Sequence, residues 1–433
     1  MKRIITIILL GLVYAGRVSG IPVTNSFPVL TLADAERIAL KNHPRVVAAD
    51  FNTLAAEEAW KEARAGFFPN VSLVADAVGA GSDTTRIMAG GLNNPSVFNR
   101  AAGGFAASQL ITDFGRTANL TASSRFQARA ASQNADATRE EVLLDVNQEY
   151  FGTLEAQDVL RVAKQTVDTR QVLVDQVTLL ASNKLKSELD VSFARVAVEE
   201  SRLLLERAQN NADAAMTSLS TAMGLSEPQQ FQLVKQEPVI STETNDVSAL
   251  VQTALANRPE LLSLRNSHDA AIRFAKAERD SRLPDVQAMG AAGWAPTHDD
   301  RLPNDYAAAG IQLSLPLFAG GSYMARQHQA EDQAQADDEM LRAAENDIVR
   351  DVHIARLNLI NALEQVQTTA ALVRNAAEAY DLAQARYQIG SSSIVELSQA
   401  QLSLTSAQID DTNARYNVLI QQANLNHEIG ALR

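Results

Sequence analysis

The 433-residue sequence predicts an α+β membrane protein: a long antiparallel α-helical coiled-coil barrel joined to a transmembrane β-barrel, with an internal duplication. Three observations predict it. The chain runs twice through the same motifs. Its longest segments are nearly free of glycine and proline. Two pairs of short segments alternate apolar and polar residues.

The duplication comes first. Ala39-Leu40-Lys41-Asn42-His43-Pro44 returns 215 positions later as Ala254-Leu255-Ala256-Asn257-Arg258-Pro259. Phe68-Pro69-Asn70-Val71 returns at the same displacement as Leu283-Pro284-Asp285-Val286. Farther on, Ser187, Asp190, Ala194 and Gly224 meet Ser393, Glu396, Ala400 and Gly430 at a displacement of 206. The difference points to a longer loop in the first half, around Gly90-Gly91-Leu92-Asn93-Asn94-Pro95. The domains are therefore read as 21–226 for the first repeat, 227–246 for a linker and 247–433 for the second repeat, with 1–20 as a signal peptide. Lys2 and Arg3 form its basic start. Ile4 to Val13 is an apolar run too short to span a membrane, and Val18-Ser19-Gly20 offers a cleavage site.

Each repeat then has the same elements in the same order. A helix comes first, over 32–65 and 247–282, after the N-cap residues Thr31 and Asp246. Pro69 and Pro284 follow these helices, and two strands come next. In the second half the strands are 285–295 and 306–318. There Ile311, Leu313, Leu315 and Leu317 alternate with Gln312, Ser314 and Pro316. In the first half Val71, Leu73 and Ala75 alternate, and a second strand runs 105–114. Each strand has about ten residues, the length a tilted membrane strand needs. An ordinary hairpin on a soluble core has the same pattern, so the strands alone leave both readings open. Long helices follow. Ser322 to Ile389 has no glycine or proline, and Arg116 to Met223 has only Gly152. Positions 348, 352, 355, 359, 362, 366, 369, 373, 376, 380, 383 and 387 step by four and three and carry mostly apolar or small residues, a sustained heptad stripe. A helix of about 65 residues is roughly 100 Å long, so the molecule must be a rod or tube.

Composition narrows the function. The net charge is −13, and it becomes −16 once residues 1–20, which hold three basic and no acidic residues, are removed. That acidity argues against nucleic acid as a partner. With no cysteine there is neither a disulfide framework nor a lipid anchor on cysteine. No segment after the leader reaches the ~18 apolar residues of a membrane helix, so any crossing must use strands. The six histidines lack ligand spacing, and His298-Asp299-Asp300 reads as a polar loop rather than a metal site. Gly79-Ala80-Gly81 and Gly103-Gly104 lack phosphate-loop spacing and read as strand and turn glycines. No enzyme, cofactor or metal site is expected.

The phrases "LTLADAERIALKNHP", "FFPNVSL" with its echo "RLPDVQA", "LSLPLFAGG" and "YQIGSSSIVELSQAQLSL", in this order and duplicated, resemble the TolC family of bacterial outer-membrane efflux proteins. The resemblance covers nearly the whole chain after the leader. It implies a homotrimer whose protomers form a twelve-stranded barrel in the outer membrane and a twelve-helix tunnel across the periplasm. The linker then lies in the equatorial region. The implied function is a passive exit duct of a tripartite efflux or type I secretion system, working with a periplasmic adaptor (membrane fusion protein) and an inner-membrane transporter. Elementary chemistry agrees on closure: four strands cannot close a barrel, and open edges in lipid cost several kcal/mol per unpaired group. The competing reading is a periplasmic coiled coil or adaptor without a membrane barrel.

The same resemblance assigns the tip. The interruption at Ile389–Ser393, and its sister at Asn183–Ser187, become turns between antiparallel helices at the periplasmic end of the tunnel. Asp190 and Glu396, just past the turns, then supply the channel constriction, where carboxylate rings favour cations. Tyr387 matches a latch tyrosine, and Gly390 and Ser392 form the turn itself. Two departures stand out: Ser392 replaces a frequent arginine, and Gln399 replaces a frequent second acid. Taken without the resemblance, Asp190 and Glu396 are equally well read as first-turn acids held by a helix N-terminus.

Overall fold

A computed structural model describes residues 27–79, 84–86, 96–98, 100–235, 246–297 and 303–432. The proposed signal peptide, the loop at 90–95 and His298-Asp299-Asp300 lie outside the described residues.

The first repeat contains β1 (Val29–Leu30), α1 (Leu32–Asn42), α2 (Pro44–Ala65), β2 (Asn70–Val78), β3 (Thr84–Arg86), β4 (Ser96–Phe98), β5 (Arg100–Thr112), α3 (Arg116–Ser182) and α4 (Glu188–Ala222). After β6 (Gln232–Leu233), the second contains α5 (Val247–Asn257), α6 (Pro259–Asp280), β7 (Asp285–Thr297), β8 (Asp305–Ser314), α7 (Ser322–Gln388) and α8 (Ile394–Glu428). Corresponding helices match residue for residue in length: 11 in α1 and α5, 22 in α2 and α6, 67 in α3 and α7, 35 in α4 and α8. At 1.5 Å per residue the two longest extend roughly 100 Å.

The first helix of each repeat is broken in two, where the sequence suggested one continuous helix. His43 and Arg258 take extended backbone conformations because each precedes a proline. The proline then starts the next helix at a position that needs no N–H donor. Each break packs against the end of a later helix. A Cβ on Gly224 would lie 2.7 Å from His43 Cα, and one on Gly430 would lie 3.1 Å from Arg258 N. Both glycines have positive φ, +73° and +67°, and terminate α4 and α8. Only a residue without a side chain allows this approach.

Burial follows the heptad stripe of α7. Ile348, Val352, Ala355, Ala362, Ala376, Ala383 and Tyr387 are buried, and the other members are half-buried. The largest apolar cluster joins α1, α3 and α4 through Ala39, Val142, Tyr150, Phe151, Leu154 and Met216, among others. Tyr150 fastens the linker to it. Its hydroxyl donates to Leu30 O (3.0 Å) or Val234 O (2.8 Å) and accepts from Val234 N (3.1 Å). These bonds hold β1 and β6 as a parallel pair beside the long helices, a sheet too short to show in the sequence pattern.

The main sheet has four strands in the order β2-β5-β7-β8, all antiparallel, with β2 and β8 as open edges. Register defines its two faces. Leu73 stands opposite Phe105, which stands opposite Ala292, which stands opposite Ala307. The same face carries Val71, Val286, Trp294, Ile311 and Leu313, and is apolar between polar ends. The other face carries Asn70, Ser72, Asp76, Ser108, Gln287 and Gln312, and lines a hollow on the concave side. The last strand is shorter than its alternating sequence suggested. It ends at Ser314, so Leu315 and Leu317 lie beyond its ladder, where Pro316 has no N–H to give.

Candidate functional site

The helix-turn tip is built by two hairpins, α3–α4 and α7–α8. In the first turn Lys184 takes a left-handed conformation (φ +59°), and Leu185 N donates back to Leu180 O at 2.9 Å. Ser187 then caps α4 by a reciprocal arrangement. Asp190 N donates to Ser187 Oγ (3.1 Å), and Ser187 N donates to the Asp190 carboxylate (3.0 Å). In the second turn Gly390 supplies the left-handed residue (φ +78°), and Ser391 N donates to Arg386 O at 2.8 Å. Ser393 caps α8 through Glu396 N at 3.2 Å. The Glu396 carboxylate does not reach back to the cap. It accepts from the Arg386 guanidinium at 2.8 Å.

Asp190 and Glu396 therefore occupy the same position in their helices but spend their charge differently. Tyr387 sits between the hairpins. It is 5% exposed and packs in one cluster with Val177 of α3, Val191 of α4, and Ile394 and Leu397 of α8. Its hydroxyl is buried and finds no hydrogen-bond partner among the described residues. The Lys186 ammonium lies 4.1 Å from the centre of its ring, a cation–π contact. Burial pushes the phenol's pKa up, and the nearby Asp190 charge pushes it further in the same direction. Ser392 Oγ donates to Ala383 O at 3.5 Å, a weak tie across the turn.

Two residues of this site were missed from the sequence: Lys186, immediately before a cap, and Arg386, immediately before Tyr387. A signal for Arg386 was present, because a tight turn at 389–393 brings position 386 beside the first turn of the next helix. Arg386 supplies a guanidinium to the tip from the helix end, where Ser392 has none to offer in the turn.

With the tip and sheet in view, comparison with known proteins is decisive. The family model described as "Outer membrane efflux protein" matches residues 37–225 and 250–431. The chain belongs to the outer membrane efflux protein family. Among its relatives, outer membrane protein TolC of Escherichia coli is 26% identical over 395 residues, covering 87% of this chain and 78% of that one. The alkaline protease secretion protein AprF of Pseudomonas aeruginosa is 25% identical, covering 93% and 85%. Among solved structures, a membrane protein from Pseudomonas aeruginosa superposes with a TM-score of 0.80 at 20% identity, covering 92% and 93%. CusC superposes with a TM-score of 0.79 at 18% identity, covering 92% of each chain. The protein is thus an outer-membrane channel of the efflux and secretion type. The alternating strands accordingly belong to a membrane barrel, and the reading as a barrel-less periplasmic coiled coil falls.

Proposed function

We propose that three copies of this chain form one continuous duct, closed by twelve strands in the outer membrane and narrowed at the helix-turn tips, which receives its cargo from a periplasmic adaptor and an inner-membrane transporter. The observation that carries this reading is an asymmetry between the repeats. α3 packs on α2 of its own repeat and on α6 of the other, whereas α7 packs on α6 and has no extended packing against α2. The same holds lower down, where α8 packs along α3 but α4 has no extended packing on α7 beyond the tip cluster around Tyr387.

The unmatched positions of α7 are apolar. Gln148 and Thr166 of α3 meet Asn424 and Thr405 of α8. Their counterparts, 206 positions on, are Ile354 and Leu372, which are 48% and 47% exposed. A second copy, supplying α2 and α4, covers them. Such a head-to-tail contact closes into a ring. The same ring pairs β8 of one copy with β2 of the next, and three sheets of four strands reach the even count that bacterial barrels show.

At the narrow end Asp190 and Glu396 supply the constriction, tempered by Lys186 and Arg386, and Gly390 and Ser392 form the turn. Tyr387 is the latch. It acts by packing the two hairpins together, since its hydroxyl has no partner among the described residues. The test is assembly. Ile354→Asp with Leu372→Asp should abolish the trimer seen by light scattering in detergent, leaving monomers with native helix content. A trimer that survives both charges rules out this contact.

A further inference from the structure

The concave face of the four-stranded sheet is lined mostly by small and polar residues, with the aliphatic side chains of Val74, Val78, Leu110 and Met289 and a single ring. Tyr306 is the sole aromatic that the register places on that face among the described residues of the sheet. It stands in a row with Gly293 and, one strand farther, Gly104. The two glycines leave a dent, and the tyrosine lies in it. A Cβ on Gly104 would sit 2.6 Å from the Tyr306 hydroxyl, and a Cβ on Gly293 would sit 2.5 Å from it. The side chain therefore reaches across β7 toward β5 and lies flat against the wall. The glycines also let the two backbones close in, since a Cβ on Gly293 would lie 2.7 Å from Gly104 Cα.

A ring pressed against the wall presents its other face to the bore, and Tyr306 remains 41% exposed. Its neighbours Ala102, Ala291 and Ala308 on the concave face are too short to cover it, and Val74, at the end of the same row, stands one strand beyond Gly104. An aromatic face in a passage with no other ring among the described residues of its wall attracts organic cations and stacks with flat aromatic solutes. We propose that Tyr306 is a solute-contacting residue of the barrel, which slows the passage of aromatic cations through the outer half of the duct. The inference rests on the channel reading above, and it adds a contact point that the constriction at the tip does not supply.

The chain has no cysteine, which makes the test direct. Single channels of the intact protein in planar bilayers are titrated with tetraphenylphosphonium. Block should weaken about three- to fivefold in Tyr306→Ala and stay near wild type in Tyr306→Phe and Tyr306→Trp, as expected for a ring-face contact. Equal block in Tyr306→Ala and wild type overturns the proposal. Should Tyr306→Ala fail to assemble, Tyr306→Cys is made instead. A positively charged, membrane-impermeant thiosulfonate should then lower conductance if residue 306 faces the bore. Conductance unmoved by complete labelling also overturns it. Wild-type protein that forms no channels at all would instead remove the duct reading itself.

Discussion

Ile311→Arg tests which face of the sheet meets lipid. β8 has ten residues, Asp305–Ser314, so its middle lies between Ala309 and Gly310. At about 3.4 Å per residue and a tilt of about 40°, Ile311 lies roughly 4 Å from the midplane, while Leu313 lies roughly 9 Å from it. The apolar band of such barrels is about 25 Å tall, so Ile311 falls near its centre and Leu313 near its edge. Ile311 belongs to the apolar face and is 74% exposed in the protomer. An arginine there should cost about 2–4 kcal/mol, one at Leu313 about 1 kcal/mol, and one at Gln312, on the concave face, close to nothing. The assay is reversible denaturant unfolding from lipid vesicles, read by tryptophan fluorescence. Equal losses at 311 and 312 would refute the face assignment, and equal losses at 311 and 313 would refute the depth.

Three further outcomes follow from the structure. Glu396→Gln should reduce cation selectivity of single channels, and Asp190→Asn should do so less, because its carboxylate is tied into the cap of its own helix; unchanged selectivity in the double mutant would leave both as helix-start acids. Gly224→Ala combines a left-handed backbone with a backbone clash at His43 and should cost about 3 kcal/mol, against about 2 kcal/mol for Gly430→Ala, whose clash is milder; thermal unfolding of both variants checks the order. Asp158 fastens the linker, pairing with Lys235 and accepting from the Tyr416 hydroxyl at 2.7 Å. Burial alone would raise its pKa, but the Lys235 and Tyr416 bonds outweigh that and hold it below the ordinary value. Its contribution is thus present above the usual aspartate pKa of about 3.9 and lost as pH falls through the lower folded value. An unfolding-midpoint profile against pH should lose that part of its acid slope in Asp158→Asn.

Much of the molecule is written locally. The heptad stripe determined which side of α7 is buried, because a period of 3.5 leaves one seam on one side of the helix. The turns at 183–187 and 389–393 and the alternation at 311–314 are equally local, and each appears where the sequence places it. The break at His43 was legible too, since a residue before proline resists the helical conformation, but the run of helix formers on both sides concealed it. What tertiary structure decided depends on contacts between distant segments. The register that puts Tyr306 over Gly293 and Gly104 depends on pairing across nearly two hundred residues. The pairing of Arg386 with Glu396 depends on how the turn closes. The exposed apolar side chains Ile354 and Leu372 acquire meaning only when α3 shows what their positions touch in the sister repeat. A residue's type and its neighbours in sequence determine its local conformation and which side it buries. Which surface meets it across space depends on the packing of the whole chain.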